Sequence, residues 1–428
     1  MPIINSLLDI DFYKFTMGQV IFHRYRDITA KFVFKNRTKK YNILKMIDIQ
    51  ELNRELKHVM GLRFTSSEIH YLRGTNEYGE RMLKEDYLNF LKDFQLPDFW
   101  ISNRTDDVEI EISGKWCEIT YWETIILSII SELIGRAFIE KREKNAYFGE
   151  FQAINEEVFK EAIYAGGMVS LINKIETLKN YSDITFCDFG TRRRFSREWQ
   201  DHVVKTMALE LPKQFLGTSN VHLAMKYGLL PMGTSAHEMY MGISGVVHQV
   251  GSDDRRDEDI LYSHNKTLQD WWDEYGLGLS IALTDNYGSD FFFQDFTVNQ
   301  AKDWKGLRQD SGDPFVFGEK AIRFYQNCGI DPKTKLIVFS DCLDMDLIHR
   351  LHYRFHKEIN VTFGWGTDLT NDVGFPTLSL IMKLLESNGY GTVKLSDNRA
   401  KALGSPEDIE RFQKIFSYKE DYRMEPRS

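Results

Sequence analysis

From about Asp183 onward, short apolar or β-branched runs end in Gly, Asp, Ser or Thr and give way, repeatedly, to a helical stretch. Ile184-Thr185-Phe186 precedes Asp188-Phe189-Gly190-Thr191, Phe215-Leu216 precedes Gly217-Thr218-Ser219-Asn220, and Leu229-Leu230 precedes Gly233-Thr234-Ser235-Ala236. Ser280-Ile281-Ala282-Leu283 leads into Thr284-Asp285-Asn286, Lys335-Leu336-Ile337-Val338-Phe339 into Ser340-Asp341, and Val361-Thr362-Phe363 into Gly364-Trp365-Gly366-Thr367. A chain that repeats this unit is built from βα crossovers, which require a parallel sheet. Each small or acidic cluster then falls at the carboxyl end of its strand, the edge where α/β barrels assemble their sites. Gly allows the tight turn there, while Ser, Thr and Asp cap the next helix and leave backbone N–H groups free for anions. Singly, such clusters are ordinary turns. Several together, with Arg or His beside two of them, point to a barrel enzyme that handles a phosphorylated substrate.

The first part of the chain has a different texture. Ala30, Phe32 and Phe34 alternate with polar neighbours, as do Val108, Ile110 and Ile112, predicting two half-buried strands. Leu52, Leu56, Val59 and Met60 recur at helical spacing, and Trp122, Ile125, Ile126, Ile129, Ile130 and Leu133 mark an amphipathic helix near a domain transition. At 428 residues, with 42% hydrophobic and 27% charged residues, two globular domains are expected. The net charge of −9, with no dominant basic stretch, argues against nucleic acid as a partner. The mixed-sign run Ser252 to Asp259 reads as a solvated loop or helix start. The most apolar window, Ile125 to Ile139, contains Glu132 and Arg136 and is too short for a membrane span. No basic region followed by an apolar run opens the sequence, and the four cysteines form no C-x-x-C pair, so a cytoplasmic location is expected.

Four clusters carry the chemistry. Arg192-Arg193-Arg194 directly follow a strand, where guanidinium forks can pair with carboxylate or phosphate; the plain alternative is a solvated basic turn. In Gly233-Thr234-Ser235-Ala236-His237-Glu238, a histidine stands at a helix start. Met241 occupies the place of the second histidine of a zinc protease, so His237 is left as a base or phosphoryl acceptor beside anion-binding N–H groups. Arg308-Gln309-Asp310-Ser311-Gly312-Asp313-Pro314 offers an anion-holding arginine and two carboxylates for sugar hydroxyls or a magnesium shell, or else an ordinary turn with Pro opening a helix. Gly364-Trp365-Gly366-Thr367 has the make-up of a phosphate cradle. His349, His352 and His356 share a helical face, but no carboxylate or Cys partner is apparent in the sequence, so they read as surface or groove histidines.

Together with Ser6-Leu7-Leu8-Asp9-Ile10-Asp11-Phe12-Tyr13-Lys14-Phe15-Thr16-Met17, these segments resemble the nicotinate phosphoribosyltransferase family over nearly the whole chain. The resemblance implies an α/β fold in which an incomplete, TIM-like α/β barrel stands beside an N-terminal α/β-sandwich domain. Residues 1–135 would form the sandwich, 136–400 the catalytic barrel, and 401–428 a segment packing back on the first domain. It implies nicotinate and phosphoribosyl pyrophosphate as substrates, ATP and Mg2+ as cofactors with the magnesium ligands unassigned, and a homodimer with shared active sites. By position, His237 matches the histidine phosphorylated by ATP, and Tyr13 the aromatic near nicotinate, delivered from the neighbouring subunit. Thr234 and Arg308 match residues holding nicotinate, and Arg192 a pocket position. Thr367, with Gly364 and Gly366, matches the 5′-phosphate cradle, and Asp310 is assigned to the ribose. Met239 stands where some relatives carry an aromatic. The implied product is nicotinate mononucleotide, the first step of NAD salvage from nicotinate. A nicotinamide-specific phosphoribosyltransferase and a non-catalytic metabolite-binding regulator remain as alternatives.

Overall fold

The computed structural model describes residues 2–77, 79–102, 107–146, 156–248, 256–420 and 422–424. Residues 252–255 of the mixed-charge run lie outside these, and Arg256 opens the helix Arg256–Tyr275.

The first region supplies α1 (Tyr13–Arg24), β1 (Thr29–Asn36), α2 (Ile49–Met60), β2 (Trp100–Ser102), β3 (Glu109–Lys115) and α3 (Trp122–Ala146). The two alternating stretches are β1 and β3, which pair antiparallel with Phe32 opposite Ile112. Ala30, Phe32 and Phe34 point into the core, as period-two alternation requires. In α2, Asp48 caps the helix by accepting from the Gln50 N–H, and Leu52, Leu56 and Val59 form its buried stripe. Along α3, Ile125, Ile126, Ile129 and Ile130 are fully buried, each contributing about 1.5–3 kcal/mol by transfer from water. The helix runs through residue 135 without a break.

The βα series then folds as seven strands, β4 (Phe186–Asp188), β5 (Phe215–Thr218), β6 (Leu230–Pro231), β7 (Ile281–Leu283), β8 (Gly306–Gln309), β9 (Leu336–Phe339) and β10 (Asn360–Trp365). They form one curled parallel sheet in the order β6-β5-β4-β10-β9-β8-β7. Among the described residues its two edge strands, β6 and β7, are not paired with each other, so the barrel is incomplete. Helix α4 (His237–Val247) follows β6, α5 (Pro314–Asn327) follows β8, and α6 (Met345–Phe355) follows β9. β8 is the strand that periodicity does not reveal, because Arg308 and Gln309 break any apolar run. Gly306 belongs there because a Cβ would lie 2.0 Å from the Leu336 carbonyl oxygen of the neighbouring strand.

After the barrel the chain returns to the first sheet. β11 (Leu380–Ser387) pairs antiparallel with β1, Phe32 opposite Leu384, and turns into β12 (Tyr390–Gly391), giving the order β12-β11-β1-β3-β2. Residues 380–391, which fall inside the expected barrel segment 136–400, therefore belong to the antiparallel layer. The C-terminal helix Pro406–Ile415 bridges both layers instead of resting on the first domain alone. Phe416 stacks on Tyr287 of the barrel side at 3.8 Å, while Lys383 of β11 donates to the Gly404 carbonyl.

α4 is clamped between the two sheets. Tyr240 donates to the Leu283 carbonyl of β7, and the Ser387 hydroxyl of β11 donates to the Gly242 carbonyl. Gly242 is required by close approach, since a Cβ would meet the Trp116 ring at 2.1 Å. Met239 is fully buried in this interface. Among the described residues, no helix is long and apolar enough to cross a membrane.

Candidate active site

A cavity of about 410 Å³ opens where the carboxyl ends of the barrel strands face the antiparallel layer. It is lined by Tyr13, Arg192, Thr234, His237, Arg308, Asp310, Gly364, Gly366 and Thr367, so most of the residues singled out by sequence converge on one place. Asp313 does not. It is spent as the N-cap of α5, accepting from the Phe315 and Val316 N–H groups.

His237 is the first residue of α4 and is half-buried. Its Nε2 lies 2.7 Å from Asp285 Oδ1, and its Nδ1 faces Asp310 at 3.8 Å. Asp285 follows β7 and is fixed by the Ser311 hydroxyl and by Lys394 at 3.7 Å. Burial opposes ionisation of Asp285, but His237 and Lys394 outweigh it and hold the carboxyl well below its usual range. Burial also pushes the His237 imidazole below its ordinary value, against the pull of Asp285. The arrangement ties the imidazole to the Asp285 carboxylate through Nε2 and leaves Nδ1 facing Asp310.

Arg308 leaves β8 beside this dyad, donating to the Ser235 carbonyl at 3.0 Å and reaching Asp310 at 3.5 Å. Burial works against an ionised Asp310, yet Arg308 and His237 bring its carboxyl down to about 2. Thr234 offers its hydroxyl from a loop whose carbonyl accepts from Thr16. Gly233 is fixed here by contact, since a Cβ would lie 3.0 Å from the Tyr13 backbone nitrogen.

Tyr13 and Arg192 add an aromatic ring and a cation to the lining. The Arg192 guanidinium lies 5.6 Å from the Tyr13 ring centroid and is steered by Asp11 at 3.4 Å and Glu123 at 3.5 Å. Tyr13 donates to Glu123 at 3.2 Å. It lines this cavity from its own chain. The physical reason is local, because α1 packs directly on the Gly233 loop. The three arginines also part company. Arg192 and Arg193 line the cavity, whereas Arg194 is fully buried and bidentate to Asp9 at 2.6 and 2.9 Å.

At the end of β10, Gly364 and Gly366 bring backbone to the cavity wall, and Thr367 starts the short helix Thr367–Thr370. A Cβ at Gly364 would collide with the Phe189 ring at 2.3 Å. The cavity is also lined by Arg37, by Lys394 beside Asp285 and by Lys401 beside Asp310. Burial, reinforced by neighbouring Arg193, lowers the Arg37 guanidinium to about 10, and Lys401 pairs with Asp341.

Sequence reasoning missed Asp285, Arg37, Lys394 and Lys401. Asp285 had a usable signal, since it sits in the Thr284-Asp285-Asn286 cluster at a strand end. Lys394 and Lys401 had none, because they reach the cavity only through the return of the chain to the antiparallel sheet.

Fold and cavity together define an α/β half-barrel protein with a cavity lined by Arg and Lys side chains beside a histidine–carboxylate pair. A profile of the nicotinate phosphoribosyltransferase (NAPRTase) family matches residues 184–420, and one of the family's N-terminal domain matches residues 8–131. The chain belongs to the nicotinate phosphoribosyltransferase family. It is similar to the crystal structure of nicotinate phosphoribosyltransferase from Porphyromonas gingivalis, at 31% identity and a TM-score of 0.83 over 97% of this chain and 100% of that one. It is likewise similar to the nicotinate phosphoribosyltransferase of Vibrio cholerae, at 31% identity and a TM-score of 0.81 over 98% of this chain and 95% of that one.

Proposed function

We propose that this protein joins nicotinate to phosphoribosyl pyrophosphate, forming nicotinate mononucleotide and pyrophosphate, and that ATP drives the transfer by phosphorylating His237. The observation that carries the reading is the His237–Asp285 pair at the start of α4. With its hydrogen on Nε2 toward Asp285, the imidazole would present an unprotonated Nδ1 to a cavity lined by Arg and Lys side chains. In the phosphorylation, Nδ1 attacks the terminal phosphorus of ATP and ADP leaves. The resulting phosphohistidine adds negative charge at a helix N-terminus, where the dipole and free N–H groups favour it.

In the transfer, pyrophosphate departs from ribose C1 with the bonding electrons, and the pyridine nitrogen supplies the pair that forms the new bond. No base is needed, since that nitrogen carries no proton. Tyr13 would lie against the pyridine ring, while Arg308 with Thr234 holds its carboxylate. Because a carboxylate gains charge-assisted bonds that an amide does not, this arrangement favours nicotinate over nicotinamide. The cradle Gly364, Gly366 and Thr367 would take the 5′-phosphate, and Arg37, Lys394 and Lys401 the leaving pyrophosphate. Asp310, an ionised oxygen donor inside the cavity, suits the ribose hydroxyls and the hydrated shell of Mg2+, which would neutralise pyrophosphate charge. A homodimer in the cytoplasm remains part of the proposal.

The test is product formation with phosphoribosyl pyrophosphate, Mg2+ and either nicotinate or nicotinamide, with and without ATP, for the wild type and His237→Ala. Conversion of nicotinate with ATP stimulation lost in His237→Ala is the expected result. Preference for nicotinamide would overturn the assignment of Arg308, and no turnover with either would leave the regulator reading standing.

A further inference from the structure

Far from the cavity, at the amino-terminal edge of the parallel sheet, three side chains converge that the proposed reaction does not use. Asp183 lies just before β4, and His352 and His356 stand at the end of α6, just before β10, the strand paired with β4. The sequence makes no carboxylate partner of these histidines apparent; the fold supplies one. One ligand atom from each of the three residues lies within 4.8 Å of the others.

The local chemistry prepares the group for a cation. His356 Nδ1 is 2.8 Å from the His352 carbonyl oxygen. A carbonyl can only accept, so Nδ1 carries the hydrogen and Nε2 keeps its lone pair. A ring nitrogen fixed by a backbone carbonyl is the usual outer-shell arrangement of a metal-binding histidine. His352 is buried, its Nε2 stands 2.9 Å from Asp183 Oδ2, and its ring lies nearly parallel to that of His356, centroids 4.7 Å apart. Tetrahedral coordination at zinc–ligand distances near 2.1 Å needs ligand atoms about 3.4 Å apart. The three atoms therefore need only side-chain adjustments of an ångström or so. The carboxyl end of α6 adds the negative pole of a helix dipole.

We propose that Asp183, His352 and His356 bind a divalent ion of the zinc class, clipping the segment that enters β4 to the end of α6. Two imidazole nitrogens and one carboxylate suit zinc, whereas magnesium and calcium take oxygen donors. Asp183 is largely solvent-exposed, so a water completes the shell.

His237, Asp285 and Asp310 form a second such cluster, so the test is run in a His237→Ala background. Chelator-treated full-length protein is titrated with zinc by calorimetry and with cobalt(II) by visible absorption. One ion per chain is expected, with a cobalt spectrum of low coordination number. Adding His356→Ala, or the exposed and conservative Asp183→Asn, should weaken binding about tenfold or more. His356→Ala alone should leave nicotinate turnover unchanged. Failure of the His237→Ala protein to bind, or binding untouched by both added substitutions with circular dichroism intact, would overturn the site.

Discussion

Along the barrel wall of the cavity, each polar group follows closely on the strand that carries it. Asp285 stands two residues after β7, Asp310 one residue after β8, and Thr367 two residues after β10. Across from them, Lys394 and Lys401 come from the tail beyond β12, and Arg37 is brought over only because β1 pairs with β11, hundreds of residues away in sequence. On the first wall, turn chemistry places the group. On the second, tertiary packing does. The division matches the proposed labour: residues that hold or exchange a bond are local to the barrel, while those that offset charge on the leaving group belong to the covering layer.

The sharpest way to test the barrel wall is Asp285→Asn, which keeps the shape and removes the charge. The amide loses the carboxylate that holds the Nε2–H tautomer, and ATP-stimulated turnover is expected to fall about 10³-fold while the ATP-independent rate persists. The same dyad sets a pH dependence. His237 has a pKa below its ordinary 6.5, chiefly through burial, so phosphorylation should hold at pH 6.5 and decline only as the imidazole gains its proton at lower pH. The sign is the same for stability. A histidine that resists protonation when folded contributes stability above its unfolded value, and that contribution is lost as pH falls through the folded one. Removing the Asp285 charge withdraws the main pull that raises the His237 pKa, so the acid limb of any residual activity should move to still lower pH. A shift upward would break the assignment of the dyad.

A smaller effect separates recognition from chemistry. Arg308→Ala is expected to raise KM for nicotinate by about 10- to 100-fold, the worth of a charge-assisted hydrogen bond, and to leave KM for nicotinamide nearly unchanged. Equal losses for both substrates would place Arg308 on phosphate instead, and would shift the boundary between the two walls.

The same contrast explains what the sequence made legible. The parallel sheet could be read from its strand-end clusters, and with it His237, Arg308, Asp310 and the Gly364–Thr367 cradle, because each is placed by its immediate neighbours. β8 escaped because Arg308 and Gln309 occupy half of a four-residue strand and leave no apolar run. The return of β11 to the first sheet escaped for another reason. Antiparallel pairing between residues 30 and 387 leaves no trace in local periodicity. The same limit hid Lys394 and Lys401. It also hid the carboxylate partner of His352, which lies well outside the helix that carries the histidines.

The covering wall is best probed at Lys401, and the effect should be the mildest. Lys401 already pairs with Asp341, and that pairing satisfies part of its charge before any ligand arrives. Lys401→Ala should therefore raise KM for phosphoribosyl pyrophosphate only about fivefold, with kcat nearly constant, and the gap between variant and wild type should narrow as salt is added. Asp341→Asn acts in the opposite sense, since it frees Lys401 for the ligand and should lower that KM. If both substitutions depress kcat instead, the covering layer takes part in the bond-making step, and the division between the two walls fails.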